Sequence, residues 1–450
     1  MAKFFGTDGV RGVANLELTP QLAFDVGRFG AYVLTQNVGH GARIFVGKDT
    51  RISCDMLECA LVAGMLSVGA DVELLGVIPT PAVAHLTKKY GADAGAVISA
   101  SHNSAKYNGI KFFSGEGFKL SDEIELEIEE YILGNKRIES FPTGDSVGRL
   151  SHRTSAEKEY ADFVSGVEHT DLSGMKIVLD CANGASSFVA PQVFSRLGCD
   201  LEVICNVPDG TNINDGCGST HIENLCEHVR KTGADLGLAF DGDADRLIAC
   251  DENGDVIDGD VIIGLYAIYL KSQNKLPNNL VVGTVMSNLG FVKSCNSHGI
   301  EVLQTKVGDR YVLEKMLETG STLGGEQSGH VISLHDNTTG DGLATAVHFA
   351  ALVKRSTKPA SQVAKEIKIL PQVLFNAKVP NDRKHLLTDD SEIAAFKKQL
   401  DEKYADCGRL LLRPSGTEPL VRVMLEGENY SEIEKDARQF AGLIEARLNF

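Results

Sequence analysis

Three stretches of the chain repeat one alternation of apolar and polar positions: an apolar strand, an amphipathic helix, a glycine and a second apolar strand. The first runs from Arg43-Ile-Phe-Val-Gly47, through a helical pattern near Leu57–Val68, to Gly69-Ala-Asp-Val-Glu-Leu-Leu75. The second runs from Lys176-Ile-Val-Leu-Asp180 to Gly198-Cys-Asp-Leu-Glu-Val-Ile204, and the third from Leu280-Val-Val-Gly283 to Gly299-Ile-Glu-Val-Leu303. Each reads as a βαβ unit whose helix is closed by glycine. A further glycine-led strand follows each unit, at Gly91–Gly95, Gly233–Gly237 and Gly320–Gly324. Aligned on the second glycine, Ser101, Asp243 and His330 fall at one offset, on the loop leaving the strand. Ligands of open α/β sheets bind beyond the carboxyl ends of strands, so three such loops are expected to meet at one cleft.

Boundaries follow from composition. Asn135–Lys158 is polar, carries Pro142 and Gly144, and reads as a linker; Asp251–Gly259 is acidic and bears glycine; Leu370-Pro371 ends the third repeat. From about Gln372 the pattern changes to strands and two helices, the last opening at Ser431 with Glu434 three residues on, a capping box. The expectation is an α/β protein of four domains, 1–150, 151–254, 255–370 and 371–450. The first three repeat a mixed α/β sandwich unit and the fourth is a smaller α+β domain.

Composition narrows the function. The 450 residues are 43% hydrophobic and 23% charged, an ordinary globular balance. Lys and Arg number 44 against 61 Asp and Glu, a net charge of −17, which argues against nucleic acid and anionic membrane as partners. The same field repels a sugar phosphate, so such a substrate needs a basic pocket or a bound cation. Ten cysteines are scattered with no Cys-x-x-Cys pair, several in apolar runs such as Cys181 and Cys250. With no secretory signal pattern and no long apolar run, a reducing, cytoplasmic setting is expected.

The chemistry gathers on the three loops. Asp241-Gly-Asp-Ala-Asp245-Arg246 follows an apolar strand, and carboxylates at spacing two along an extended loop face one point. An all-oxygen set of this kind suits Mg2+. Ile98-Ser-Ala-Ser101-His102-Asn103 leaves a second strand; Ser101 either caps a turn or, beside a cation and Lys111, performs phosphoryl transfer. His102 and His330 join Ser101 and Lys111 as catalytic candidates, as does Arg11 in Phe5-Gly-Thr-Asp-Gly-Val-Arg11-Gly12, unless that segment is a structural turn. In Gly325-Glu326-Gln327-Ser328-Gly329-His330, Glu326 and Ser328 are spaced to hold vicinal hydroxyls, unless the segment is a plain surface turn. Arg413-Pro-Ser-Gly-Thr-Glu-Pro419 offers Arg413, Ser415, Gly416 and Thr417, with Arg422 beyond, as a phosphate cradle. The basic loops Gly47-Lys-Asp-Thr-Arg51 and Lys306-Val-Gly-Asp-Arg310 are either anion contacts or structural turns.

Taken together and in order, from Phe5 to Pro419, these motifs resemble the α-D-phosphohexomutase superfamily. Gly-Glu-Gln-Ser-Gly-His at 325–330 and Val-Gly-Asp-Arg-Tyr at 307–311 are similar to its phosphoglucosamine branch. The resemblance implies four domains around a central cleft, a phosphoserine at Ser101, and Mg2+ held by Ser101, Asp241, Asp243 and Asp245. It also implies Glu326 and Ser328 on sugar hydroxyls, with Gly308, Asp309, Arg246 and the 413–422 segment completing the substrate contacts. Glucosamine 6-phosphate and glucosamine 1-phosphate would exchange through a sugar 1,6-bisphosphate, with an activating kinase possible and a monomeric or homodimeric state. Phosphoglucomutase or phosphomannomutase activity, a serine-dependent phosphatase and a silent sugar-phosphate sensor are the alternatives. One departure stands out: Ser104 occupies the place where the superfamily commonly has proline, which removes a φ restraint from the serine loop.

Overall fold

Apolar runs that lie between helices on both sides become buried strands, and the strands of the three repeats assemble in one order. The structure is a computed structural model that describes residues 4–6, 9–36, 38, 41–415 and 418–449. Contacts divide the chain into two units, one of 1–286 with 298–366 and one of 287–297 with 367–450.

In the first unit, the leading sheet is built from β1 (Phe5–Gly6), β2 (Gly9–Val13), β3 (Arg43–Lys48), β4 (Asp71–Val77), β5 (Ala94–Ile98), β6 (Tyr107–Ser114) and β7 (Leu150–His152). Its order is β1-β2-β6-β5-β3-β4-β7. The second sheet holds β8 (Lys176–Asp180), β9 (Asp200–Ile204), β10 (Leu236–Phe240), β11 (Leu247–Asp251) and β12 (Val256–Ile257), ordered β12-β11-β10-β8-β9. The third holds β13 (Leu280–Thr284), β14 (Glu301–Thr305), β15 (Leu323–Gly325) and β16 (Val331–Ser333), ordered β14-β13-β15-β16.

The repeat is therefore structural. In each sheet the first strand lies between the second and third, all parallel, and a fourth runs antiparallel beside the third. The helices before β5, β10 and β15 end on Gly91, Gly233 and Gly320, each in the left-handed region at φ 57, 63 and 72. A residue with a Cβ resists that conformation, which explains the glycine at the head of each segment. The loop joining the third strand to its antiparallel partner is the one that carries Ser101, Asp243 or His330.

Two readings of the sequence need correction, the linker at 135–158 and the cap at Ser431. The polar stretch 135–158 is only partly a linker: its end supplies β7, which pairs with β4, and enters the helix Ala156–Ser165. The acidic stretch 251–259, a candidate boundary, holds the hairpin turn from β11 into β12, tied by Asp251, whose Oδ1 accepts from the backbone N–H groups of Asn253 and Asp255. The last helix, Tyr430–Leu448, is capped by Asn429, whose side chain accepts from the Glu432 N–H, so Ser431 lies inside it. A strong cap two residues earlier outcompetes the serine.

The second unit folds β17 (Gln372–Lys378), β18 (Arg409–Pro414) and β19 (Leu420–Glu426) into an antiparallel sheet ordered β17-β19-β18. Val373, Val421, Val423 and Leu425 face Ile433, Phe440 and Ile444 of the last helix in one core. Segment 287–297 belongs here: Asn288 exchanges hydrogen bonds with the backbone of Leu370, and the Leu289 N–H donates to Glu426. Among the described residues, no helix is long and apolar enough to cross a membrane.

Candidate functional site

β5 is buried along its whole length and delivers the serine loop at its carboxyl end. Ser101 adopts φ 50, a left-handed conformation that costs a non-glycine residue roughly 1–2 kcal/mol. Neighbouring side chains hold it there. Arg51, fully buried and ion-paired with Asp49, donates to the Ser101 carbonyl at 3.1 Å and the Asn103 carbonyl at 2.5 Å. Asn214 donates to the same two carbonyls at 2.9 and 3.0 Å. From the other side, the Ser99 hydroxyl accepts from the Ser101 N–H at 2.9 Å while donating to Asp49 at 2.6 Å.

The aspartate loop converges by a different geometry from the extended one expected. Residues 241–246 form a turn, with Ala244 at φ 56 and its N–H donating to the Asp241 carbonyl at 3.0 Å. The turn still brings one oxygen of each of Asp241, Asp243 and Asp245 within 4.8 Å of the others, all buried. Ser101 Oγ donates to Asp241 Oδ2 at 2.7 Å. Lys111 Nζ and Thr80 Oγ1 both donate to Asp243 Oδ2, at 3.0 and 2.7 Å. Gly242 lets the two loops meet, because a Cβ there would stand 2.6 Å from the Ser101 carbonyl oxygen.

The three buried carboxylates perturb one another. Burial, then the neighbouring Asp245 and Asp243, push the Asp241 carboxyl up to about 8. Burial also pushes Asp245 upward, but His330, Lys111 and Arg246 outweigh it and hold that carboxyl well below the usual range. Asp243 Oδ1 and Asp245 Oδ1 are buried and have no hydrogen-bond partner. Orphaned oxygens of Asp243 and Asp245 close to the Asp241 carboxyl fit a hard divalent ion.

The third loop closes on the second. His330 Nδ1 lies 3.5 Å from Asp245 Oδ2, and its Nε2 lies 3.4 Å from Asp309 Oδ2. Burial lowers the His330 basicity, yet the two acids raise it overall. Glu326 Oε1 accepts from the Gly308 N–H at 3.1 Å, which draws the 308–309 turn to the same place, and Asp309 pairs with Lys119. Ser328 is exposed, and Glu326 half-buried, so both remain reachable by a ligand. Arg246 lies among these carboxylates, with Asp245 at 3.8 Å. His102 Nδ1 stands 3.3 Å from Ser101 Oγ; burial, then Arg246 and Arg11, lower its pKa to about 4.

In the second unit, Arg413 and Arg422 sit directly opposite on β18 and β19. Like charges in that register repel, which an anion between them relieves. Arg422 donates to Glu418 at 3.1 Å, and the Ser415 hydroxyl accepts from the Glu418 N–H at 3.1 Å. Gly416 and Thr417 lie outside the described residues.

The two basic loops divide. Arg51 works on the serine loop through hydrogen bonds, whereas Arg310 pairs with Glu125 at 2.8 Å and with Asp122, a purely structural tie. Nothing in the sequence marks the parts played by Asp49, Thr80, Ser99 and Asn214. Asn214 lies 113 positions from Ser101, and no local pattern marks it.

Models of four domains of the phosphoglucomutase/phosphomannomutase family match the chain: domain I over 2–139, domain II over 158–254, domain III over 258–369 and the C-terminal domain over 374–443. Proteins named phosphoglucosamine mutase from Clostridium kluyveri and Acetivibrio thermocellus are 56% and 54% identical, each alignment covering 100% of both chains. Among solved structures, a phosphoglucomutase/phosphomannomutase family protein from Burkholderia thailandensis is 25% identical at a TM-score of 0.82, covering 99% of this chain and 98% of that one. An Aspergillus fumigatus N-acetylphosphoglucosamine mutase, solved in complex with GlcNAc-6P and magnesium, shares the fold at a TM-score of 0.70 and 16% identity, covering 99% of this chain and 96% of that one.

Proposed function

The chain belongs to the phosphoglucomutase/phosphomannomutase family, and on that premise we infer that it acts as a phosphoglucosamine mutase, an isomerase that moves a phosphoryl group within glucosamine phosphate. The observation that carries the reading is Ser101 Oγ at 2.7 Å from Asp241, within a buried group of three aspartates that also holds Lys111.

Phosphorylated Ser101 passes its phosphoryl group to the free hydroxyl of the bound sugar phosphate: the serine O–P bond breaks and a sugar O–P bond forms. The bisphosphorylated sugar turns over and returns its other phosphoryl group to Ser101, so the serine ends as it began. Asp241, Asp243 and Asp245, with an oxygen of the Ser101 group, would hold Mg2+, which neutralises charge on the transferring oxygens. Lys111 places a second positive charge beside Asp243. His102, a neutral imidazole at neutral pH, would carry the proton: the one lost by the attacking sugar hydroxyl passes through it to Ser101 Oγ as the phosphoryl group leaves, and the same path runs in reverse when the phosphoryl group returns. Glu326 and Ser328 accept from sugar hydroxyls, with Gly308, Asp309 and Arg246 beside them. Arg413, Ser415 and Arg422, with Gly416 and Thr417, take the phosphate that is not reacting, and Arg11 and His330 add charge near the reacting one.

The domain division 1–150, 151–254, 255–370 and 371–450 is part of this reading, as is a cytoplasmic setting, which the ten free cysteines support. Ser101→Ala tests it: mutase turnover and labelling of the protein by 32P-sugar bisphosphate are both expected to vanish, and substantial residual turnover refutes the serine's role. Comparing kcat/KM on glucosamine, glucose and mannose phosphates tests the sugar; faster turnover of glucose or mannose phosphate reassigns it.

A further inference from the structure

Outside the mutase centre, Asp180, Cys205 and Cys217 bring a carboxylate oxygen and two sulfurs within 4.8 Å of one another. Asp180 and Cys217 are buried and Cys205 is half-buried. Each of the three is oriented by donors of its own. The Ala182 and Gly218 N–H groups fix the two oxygens of Asp180, both at 2.9 Å. Asn224 Nδ2 points at Cys205 Sγ at 3.7 Å, and Asn183 Nδ2 at Cys217 Sγ at 3.9 Å. Amide donors to sulfur and carboxylate are the usual support of metal ligands. The backbone is bent to make the arrangement: Ala182, Asn183 and Cys205 adopt φ 53, 48 and 50, unfavourable for residues with a Cβ.

We propose that Asp180, Cys205 and Cys217 form a second metal site, for a thiophilic divalent cation of the Zn2+ class, separate from the oxygen-only aspartate triad. Two thiolates and a carboxylate select zinc over magnesium, and a solvent molecule on the open side of Cys205 completes four ligands. Binding breaks two S–H bonds, forms two S–metal bonds and passes both protons to buffer. The site lies at the ends of β8 and β9, and Cys205 and Cys217 bracket the segment that carries Asn214. Since Asn214 grips the carbonyls of Ser101 and Asn103, the cation fastens the segment that steadies the reactive serine.

Co2+ titration of the reduced, full-length protein tests this by absorbance rather than by activity. A thiolate-to-cobalt charge-transfer band with tetrahedral visible bands is expected. Zn2+ should bleach it, Cys205→Ser or Cys217→Ser should remove it, and Asp241→Asn should leave it intact. Independently, Zn2+ at ten times its dissociation constant should slow alkylation of Cys205 roughly tenfold, while the exposed Cys59 reacts as before. The footprint decides the matter if either serine variant misfolds. Absence of the band, its survival in both serine variants, or isolation of the pair as a disulfide two hydrogens lighter overturns the proposal.

Discussion

Replacing Asn214 with Asp changes almost no volume but reverses the polarity of one grip on the serine loop. The Asn214 amide donates to two carbonyls at 2.9 and 3.0 Å and is 6% exposed. Two hydrogen bonds at roughly 1 kcal/mol net each give about 2 kcal/mol lost. An aspartate there would also set a carboxylate against two carbonyl oxygens, so it must take up a proton. Holding it neutral at pH 7 costs up to about 4 kcal/mol, at 1.36 kcal/mol per unit from a free value near 3.9. The protonated acid regains one donor, which brings the expected loss to about 3–5 kcal/mol. The new carboxyl has a raised folded pKa, so the folded variant keeps a proton that the unfolded chain releases above about pH 4. The deficit therefore grows as pH rises from about 4 towards 7 and shrinks on acidification. Urea unfolding followed by circular dichroism, since the chain has no tryptophan, gives the stability at each pH. Asn214→Leu is the control, with a deficit that does not follow pH. Turnover of Asn214→Asp should fall at least about tenfold at pH 7, because a left-handed serine has lost support. An Asp variant as stable and as readily phosphorylated as its parent at pH 7 would refute the reasoning.

Other outcomes follow from the same geometry. With the Asp241 carboxyl raised by burial and its acidic neighbours in the metal-free protein, Mg2+ binding at pH 7 should release protons; calorimetry in two buffers of different ionisation enthalpy that detects none contradicts the triad as described. Arg422→Gln should raise KM for the sugar phosphate about 10–100-fold, the loss of a charged hydrogen bond, while leaving the unliganded protein no less stable. Lower stability with unchanged KM would remove the anion from the Arg413–Arg422 pair. His348 lies buried between Asp336 at 2.8 Å and Glu168 at 3.1 Å; burial lowers its basicity but the two acids raise it to about 9. Its contribution, about 3 kcal/mol, is complete below pH 6.5 and lost as pH climbs to 9. His348→Gln should flatten that slope in thermal unfolding, and an equal slope in both proteins sinks the assignment.

Periodicity was the best guide to this molecule. It located the three βαβ units because each helix buries an apolar stripe and the first and third strands of each unit are buried on both faces, and the glycine heading each third strand is required by its left-handed backbone. The offset that grouped Ser101, Asp243 and His330 was legible because all three occupy the same connection between a parallel strand and its antiparallel neighbour. What stayed hidden depends on distant packing. Thr80 meets Asp243 across 163 positions, and Asn214 is one polar residue in a polar loop. The aspartates converge on a turn and not on the extended loop their spacing suggests, since spacing two also suits a turn in which Ala244 is left-handed. Segment 287–297 shows the same limit, since an apolar stripe tells that a helix is covered but not by which neighbour.

That segment has a practical outcome for anyone cutting the protein. The chain passes between the two units at 286/287, 297/298 and 366/367, so a protease nick at the last junction severs only one of the ties. The tail fragment would stay moored through Asn288 to Leu370 and through Leu289 to Glu426, and gel filtration of the nicked material should still elute it with the remainder. A recombinant piece that starts at Ile367 would lack the helix Leu289–Ser297, which belongs to its unit.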